Sequence, residues 1–215
     1  MSHSRLFINL LFSVPLFFVG FSCSDNVAIN KQDRSDSILE TSFEIALDSK
    51  GFLEWYSDNQ MNFIKKREFD GVFVEGKFIP YQIEYLLHGG DDKGLKDYQE
   101  YEYYTLSIGL KDSKKDFLKS GYSQLDYQSL VEYLSFKIQD DITLEVGKEI
   151  LECKFSVFER SFGVKPSATL NLGFKTSDSK EARKLVYRDR IMSLGIVKLQ
   201  VTDGSLIEKI PSIKI

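Results

Sequence analysis

Apolar and polar residues alternate in several short segments, and this alternation restricts the chain to strand-rich folds. The clearest case is the segment 168–174, where every second residue is apolar: Ala168, Leu170, Leu172 and Phe174. The same pattern is present in 106–110, 142–146, 151–157 and 197–201. A period of two is typical of a strand that buries one face, because successive side chains point to opposite sides.

These segments, with turn residues between them, predict a mainly β fold: an antiparallel β-sandwich with one or two short helices. An immunoglobulin-like arrangement is one form of such a sandwich. One helix is expected in 125–134, where Leu130, Val131 and Leu134 share a face. The segments 51–60 and 81–87 do not show a clear strand pattern: 51–60 is ambiguous, and 81–87 is either an edge strand or a short helix started by Pro80. An α+β domain is therefore the alternative fold.

Three local features add to this prediction. Asp70-Gly71 lies between two strand-like segments and predicts a hairpin in which both turn residues have positive φ. The alternation of Leu134, Phe136 and Ile138 predicts a further strand. Asp140-Asp141 then predicts a turn between that strand and the one in 142–146.

Residues 1–22 have the parts of a secretory signal peptide. Arg5 supplies a positive charge, 6–21 is a mainly apolar run, and Gly20 and Ser22 are small residues at its end. The run holds 16 residues (6 to 21), and at about 1.5 Å per residue it would span roughly 24 Å. A bilayer core is about 30 Å thick, so a cleaved signal is favoured over a permanent transmembrane helix.

Cys23 directly follows the small residue that ends this run, and the chain continues with Ser24 and Asp25. This placement resembles the lipobox of bacterial lipoproteins, and Ser22 with Cys-Ser-Asp is similar to lipoproteins of the Bacteroidota. The resemblance covers residues 1 to about 26. The common pattern of that family is Leu, a small residue, and Gly or Ala before the Cys, whereas these positions hold Gly20, Phe21 and Ser22 here. It implies that the signal is cut before Cys23, that the thiol receives a diacylglycerol, and that the new amine is acylated, for instance with palmitate.

The resemblance also implies a lipid-anchored location in the cell envelope, most simply the outer membrane. Residues 23–40 would be the lipidated N-terminus and a flexible polar tether, and 41–215 a single β-rich domain. The partner of the N-terminus would be the membrane, through the acyl chains. Cleavage by ordinary signal peptidase after Ser22 is the alternative, and it would leave a soluble periplasmic protein.

Charge and residue counts exclude several classes of function. Removal of 1–22 leaves 27 Lys and Arg (28 − 1) against 32 Asp and Glu, a formal charge of −5. Such a chain lacks the basic face that nucleic-acid binding requires. With Cys23 lipidated, Cys153 and His88 are the remaining Cys and His. A disulfide framework and a Cys/His zinc site are therefore not expected, and no cofactor is predicted.

A cluster of tyrosines is the candidate binding surface. Tyr101 and Tyr103 would share the outer face of a strand, Tyr98 would approach from a loop, and Tyr104 would be buried with Leu106. Tyrosine offers contact area and a hydroxyl group at low entropy cost, which suits a glycan or an envelope protein. The alternative is that these tyrosines are ordinary strand residues that pack inward.

Three other groups are expected to be structural. Cys153 lies at one of the alternating apolar positions of 151–157 and should therefore face the core. His88 lies near Asp91 and Asp92, but further ligands for a metal are missing. The charged residues of 181–190 have mixed signs and predict a solvated face: Glu181, Arg183, Lys184, Arg188, Asp189 and Arg190.

The sequence thus predicts an exported cell-envelope lipoprotein with a binding or scaffolding β domain. No Gly-rich phosphate loop, nucleophile elbow or zincin helix is present, so a non-catalytic protein is favoured over an enzyme. The alternative is an exported hydrolase that uses two carboxylates about 5–10 Å apart in a cleft.

Overall fold

The part of the chain that the structure, a computed structural model, describes forms eleven strands and five α-helices, joined by loops and by short 3₁₀ and π-helical segments. It describes residues 46–89, 94–160 and 166–214, which all belong to one compact unit, Ser42–Ile215. The strands are β1 (Ala46–Leu47), β2 (Ile64–Glu68), β3 (Val72–Ile79), β4 (Tyr101–Leu110), β5 (Ile142–Val146), β6 (Glu149–Glu152), β7 (Phe155–Glu159), β8 (Ser167–Lys175), β9 (Arg183–Arg188), β10 (Ile196–Thr202) and β11 (Ser212–Ile213). The helices are α1 (Ser49–Asn59), α2 (Tyr81–Leu87), α3 (Gly94–Gln99), α4 (Tyr127–Glu132) and α5 (Gly204–Ile207). The predicted signal peptide, Cys23 and the tether lie outside the described residues.

Two antiparallel sheets pack face to face. The larger has the order β2-β3-β4-β8-β7 and the smaller β10-β9-β5-β6, while β1 and β11 form a separate parallel pair. Gly76 on β3 lies against the other sheet, where an added Cβ would come within 3.0–3.2 Å of Leu185, Leu199 and Val201. The fold is therefore mainly β and a sandwich, as the alternating segments predicted.

The core lies between the two sheets and contains the residues that the alternation assigned to it. In β8 the inward residues Ala168, Leu170, Leu172 and Phe174 are all at most 2 % exposed. Tyr104, Leu106 and Ile108 on β4 are fully buried beside them. These strands confirm the period-two prediction.

The hairpin between β2 and β3 is present, with Glu68 paired to Phe73 and Asp70-Gly71 in the turn. Gly71 has φ +73°, but Asp70 does not have positive φ. The expectation that both turn residues have positive φ is therefore wrong for Asp70. A turn with positive φ at its second central position needs glycine at that position alone.

The two segments without a clear strand pattern are helical. Asp48 caps α1 by accepting a hydrogen bond from the Gly51 N–H (2.7 Å), and Phe52 on this helix is fully buried. Pro80 immediately precedes α2, where its fixed φ and missing N–H are tolerated because the first turn leaves its N–H groups unpaired. Phe52 of α1 and Ile83 of α2 form a second, smaller hydrophobic cluster with Ile213 of β11.

The strand predicted from Leu134, Phe136 and Ile138 is wrong. A π-helical turn covers Tyr133–Lys137 and a 3₁₀ turn covers Ile138–Asp141, so α4 continues as irregular helix. Leu134 and Ile138 are buried, whereas Phe136 is 78 % exposed. Asp140-Asp141 belongs to this 3₁₀ turn and leads from a helix, not from a strand, into β5.

The segment 151–157 is not one continuous strand. β6 belongs to the smaller sheet and β7 to the larger one, so the chain crosses between sheets at Cys153 and Lys154. Cys153 is buried at 6 % exposure, but Val157 is 57 % exposed. After the crossing, the residues that continue the alternation lie on the outer side of β7, which the alternation alone did not indicate.

Candidate functional site

The predicted tyrosines lie at one end of the larger sheet. Tyr101 and Tyr103 are half-buried on the outer face of β4, and Tyr104 on its inner face is fully buried. Tyr98 belongs to α3 and is 8 % exposed, so the expectation that it approaches from a loop is wrong. The structure thus brings Tyr98, Tyr101 and Tyr103 together and separates Tyr104 from them.

Phe155 on β7 completes the cluster. Its ring lies 5.7 Å from that of Tyr101 and 6.2 Å from that of Tyr103, and the rings of Tyr98 and Tyr103 are 6.5 Å apart. Phe155 covers Gly173 on β8, where the ring would collide with any added Cβ. Glycine at position 173 therefore lets an aromatic ring lie flat on the outer face of the sheet.

These four aromatic residues, with Asp97 and Glu100, line a shallow cavity of about 490 Å³, here called the aromatic groove. The Lys175 ammonium lies 4.2 Å from the centre of the Tyr101 ring and donates a hydrogen bond to Glu100 (2.8 Å). Burial and the nearby Glu84 carboxylate raise the pKa of Tyr103 to about 12. Its hydroxyl is therefore neutral at physiological pH and can both donate and accept a hydrogen bond.

A second cavity of about 380 Å³ lies beside the groove and is here called the polar cleft. It is lined by residues of β3, α2, α3, β4, β9, the loop between β8 and β9, and the C-terminal segment: Phe78, Pro80, Tyr81, Gln82, Gln99, Tyr101, Glu102, Thr176, Ser177, Arg183, Ile207, Ile210 and Ser212. Tyr101 lines both cavities.

A buried ion pair lies in the wall of the polar cleft. The side chains of Arg183 and Glu102 are 4 % and 8 % exposed, and Arg183 Nη2 lies 3.0 Å from Glu102 Oε1. The Tyr104 hydroxyl donates a hydrogen bond to the same carboxylate (2.7 Å), and its pKa is raised well above the usual value, chiefly by burial. The prediction of a solvated charged face is therefore wrong for Arg183, although Lys184 and Arg188 are exposed.

Asp189 also departs from that prediction. It is 9 % exposed and accepts hydrogen bonds from the Tyr187 hydroxyl and from the N–H groups of Ile191, Met192 and Leu194. Four donors satisfy its carboxylate and fix the loop that precedes β10. Its role is structural.

A third cavity, of about 470 Å³, contains three carboxylates, those of Glu132, Asp140 and Asp141. The two oxygens of Asp141 accept hydrogen bonds from the Tyr133 hydroxyl (2.9 Å) and Arg190 Nε (2.8 Å). The Tyr133 pKa is raised by burial and by that bond. Both oxygens of Asp141 are thus held by hydrogen bonds from the surrounding fold.

Cys153 lies in the core as predicted. Its Sγ donates to the carbonyl of Phe155 (3.0 Å), and burial raises the pKa of the thiol to about 11. His88 directly follows α2, with Nδ1 2.8 Å from the Glu84 carbonyl oxygen, while Asp91 and Asp92 lie outside the described residues. Across 46–89, 94–160 and 166–214, no group of three or more His, Cys, Asp or Glu side chains is placed to hold a metal ion.

The comparisons with known proteins return no match, whether to protein-family models, to curated proteins or to solved structures. Among the helices that the structure describes, none is long and apolar enough to cross a membrane. The function of the domain is therefore inferred from its own geometry.

Proposed function

We propose that this protein is an exported, lipid-anchored protein of the cell envelope whose β domain binds a neutral glycan without catalysis. The observation that carries the proposal is the aromatic groove. In this groove, the rings of Tyr101, Tyr103 and Phe155 form one connected surface on the outer face of the sheet. Rigid aromatic rings of this kind provide large contact areas at low conformational cost.

The chemistry of the groove suits a sugar. The faces of aromatic rings have a partial negative potential and attract the slightly positive C–H groups on the face of a pyranose. At the rim, Glu100 is paired with Lys175. The carboxylate of Asp97 adds a net negative charge there, so it can accept hydrogen bonds from hydroxyl groups and disfavours an acidic glycan. The Tyr101 and Tyr103 hydroxyls add donors and acceptors at the edge of the rings.

Binding at the groove is tested with an array of neutral and acidic oligosaccharides. We expect wild-type protein to bind neutral glycans, and Tyr103→Ser and Tyr101→Ser each to weaken binding at least about tenfold, as loss of a central aromatic contact does. Tyr127→Ser is the matched control, because Tyr127 lies on α4 and is 51 % exposed. Equal binding by Tyr103→Ser and Tyr127→Ser would refute the groove as the site.

The anchor rests on Cys23 and on the resemblance of 1–26 to lipoproteins. Cys23→Ser should abolish acylation and release the protein from membranes into the soluble envelope fraction. The measurement is the intact mass of protein purified from native membranes, which should exceed that of residues 23–215 by the mass of the acyl groups. An unmodified Cys23 in the native protein would contradict the anchor and leave the glycan proposal standing.

A further inference from the structure

A strip of small, uncharged residues continues the aromatic groove along the outer face of the larger sheet. Beyond Tyr103, the next two outward rows of β4 and β8 consist of the pairs Thr105–Asn171 and Ser107–Thr169. Their side chains point to the same side of the sheet as that of Tyr103, because side chains along a strand alternate between its two faces. These four half-buried residues are here called the polar strip.

Larger side chains border the polar strip on both long sides and at its far end. The wall residues are Glu75 and Lys77 on β3 and Val157 and Glu159 on β7. At the far end the Phe73 ring covers Gly109, where it would collide with an added Cβ. From Tyr103 to Gly109 the floor is about 20 Å long, and the two wall strands are about 14 Å apart. A floor of this length and width suits one extended chain.

Two polar groups of the strip are accessible and have no partner in the fold. Among the described residues, the buried side-chain atoms without a hydrogen bond belong to Gln82, Asp116, Ser156 and Thr202. The Thr105 hydroxyl also makes no hydrogen bond there, but it is not buried. The Asn171 amide donates through Nδ2 to Glu159 (3.1 Å), which leaves its Oδ1 as an acceptor. A donor and an acceptor therefore lie side by side on paired residues, and neighbouring hydroxyl groups of one sugar can use both.

The second pair of the strip supplies one more donor. The hydroxyl oxygens of Ser107 and Thr169 are 3.2 Å apart, so one of these hydroxyls donates to the other. The accepting hydroxyl keeps its own hydrogen, which can be donated to a ligand. The floor thus offers hydrogen bonds along its length without a charged group.

The charges around the strip favour an uncharged ligand. Glu75 and Glu159 lie in the same row on opposite sides of the strip. Lys77, the cation of the β3 wall, donates to Gln60 Oε1 (3.2 Å), so its ammonium is engaged by the segment that follows α1. Two carboxylates on the walls give this face a negative potential, which disfavours an acidic polymer.

We propose that the polar strip binds the sugar units that follow the one stacked in the aromatic groove, so that the ligand is a linear, uncharged polysaccharide. Thr105 and Asn171 are its specificity-determining contacts. This inference rests on the proposed glycan binding and narrows its ligand. The groove and the strip are continuous, because Tyr103, Gly173 and Phe155 form the row of the sheet next to the Thr105–Asn171 pair. A chain that stacks on the rings of the groove therefore extends directly over the floor of the strip.

The experiment measures affinity against ligand length. Linear oligomers of glucose, mannose and xylose, from two to six units long, are titrated into the protein by calorimetry. For the series that it binds, we expect the wild-type affinity to rise with length and then level off, because the floor is about 20 Å long. Tyr103→Ser should weaken the binding of all lengths, since the first unit lies in the groove.

Two variants test the strip itself. Thr105→Val removes the hydroxyl with little change of shape and should lower the affinity for the longest oligomers about three- to tenfold, as loss of one hydrogen bond between uncharged groups does. Ser107→Ile raises the floor with a residue that strands favour and should lower that affinity at least about tenfold. Both variants should bind the shortest oligomers as wild type does.

Thr143→Val is the matched control. Thr143 is also a half-buried threonine within a strand, but it lies on β5 in the smaller sheet. It makes no hydrogen bond through its side chain among the described residues, and its oxygen is not buried. The variant should bind all lengths as wild type does.

The outcomes separate the two proposals. Affinity that is independent of length, or long-oligomer binding by Thr105→Val and Ser107→Ile equal to that of Thr143→Val, would overturn the polar strip and leave the groove as a site for a single sugar unit. Failure of the wild type to bind any neutral oligomer, or capture of extended peptides in their place from a matched peptide array, would overturn both proposals together.

Discussion

Replacement of Arg183 by Met should be among the most destabilising single changes on the two sheets. The substitution keeps much of the side-chain length but removes the charge that pairs with Glu102 at 3.0 Å. It also removes the short hydrogen bonds to the carbonyls of Ser179 (2.6 Å) and Glu181 (2.7 Å). A buried carboxylate left without its partner costs about 3–5 kcal/mol, which is a large share of the roughly 5–15 kcal/mol by which a domain is stable.

The assay is urea unfolding at neutral pH, followed by tryptophan fluorescence, with the midpoint and the m-value fitted together. Lys184→Met is the matched control, because Lys184 is the next residue on β9 and is exposed. We expect it to change the free energy of unfolding by less than about 0.5 kcal/mol.

A double variant distinguishes the ion pair from the packing around it. Glu102→Gln together with Arg183→Met should cost less than the sum of the two single changes, because the double change leaves no unpaired charge. A loss below about 1 kcal/mol for Arg183→Met, or strictly additive costs, would refute the assignment of a buried and mutually dependent pair.

Three further predictions concern the core. Leu170→Ala should lower the free energy of unfolding by about 2–5 kcal/mol, and Thr169→Ala on the opposite face by less than half of that, as measured by urea denaturation. Thr202→Val should raise stability slightly, because it removes a buried oxygen that is unpaired within the described residues; a fall in the melting temperature would contradict this. Since burial raises the pKa of the Cys153 thiol to about 11, the unfolded chain loses that proton first above about pH 8.5. Stability should therefore decline between pH 9 and 11 more steeply in wild type than in Cys153→Ala, in denaturation curves recorded across that range.

Much of the fold was predictable because the sandwich buries one face of each central strand. That geometry imposes the period of two on β4, β8 and β10, so their inward residues could be read from the sequence. The same signal failed for 134–138 for a physical reason. Leu130, Leu134 and Ile138 are four residues apart, which is helical spacing, and the exposed Phe136 produced a false alternation.

The candidate site was less predictable because it depends on neighbours that are distant in the chain. The tyrosines of β4 were found because they are close together in sequence. Phe155 was missed because the chain crosses between the sheets just before β7, and this crossing changes which residues face outward. Arg183 has the same parity as the buried Leu185 and Tyr187, and this was the one local signal that it points inward. Gln82 gave no local signal, since its burial and its hydrogen bond to Pro211 are properties of the packing of α2 against the C-terminal segment.

The most direct test of non-catalytic glycan binding is to recover the ligand after prolonged contact with the protein. Mature Cys23→Ser protein is incubated with a bound neutral oligosaccharide for many hours, the complex is captured, and the released sugar is analysed by mass spectrometry. The account predicts one oligosaccharide per chain, recovered at its original length, with the Asp141→Asn variant binding as well as wild type. Shortened products that disappear in Asp141→Asn would contradict it and would assign the carboxylates of the third cavity a hydrolytic role.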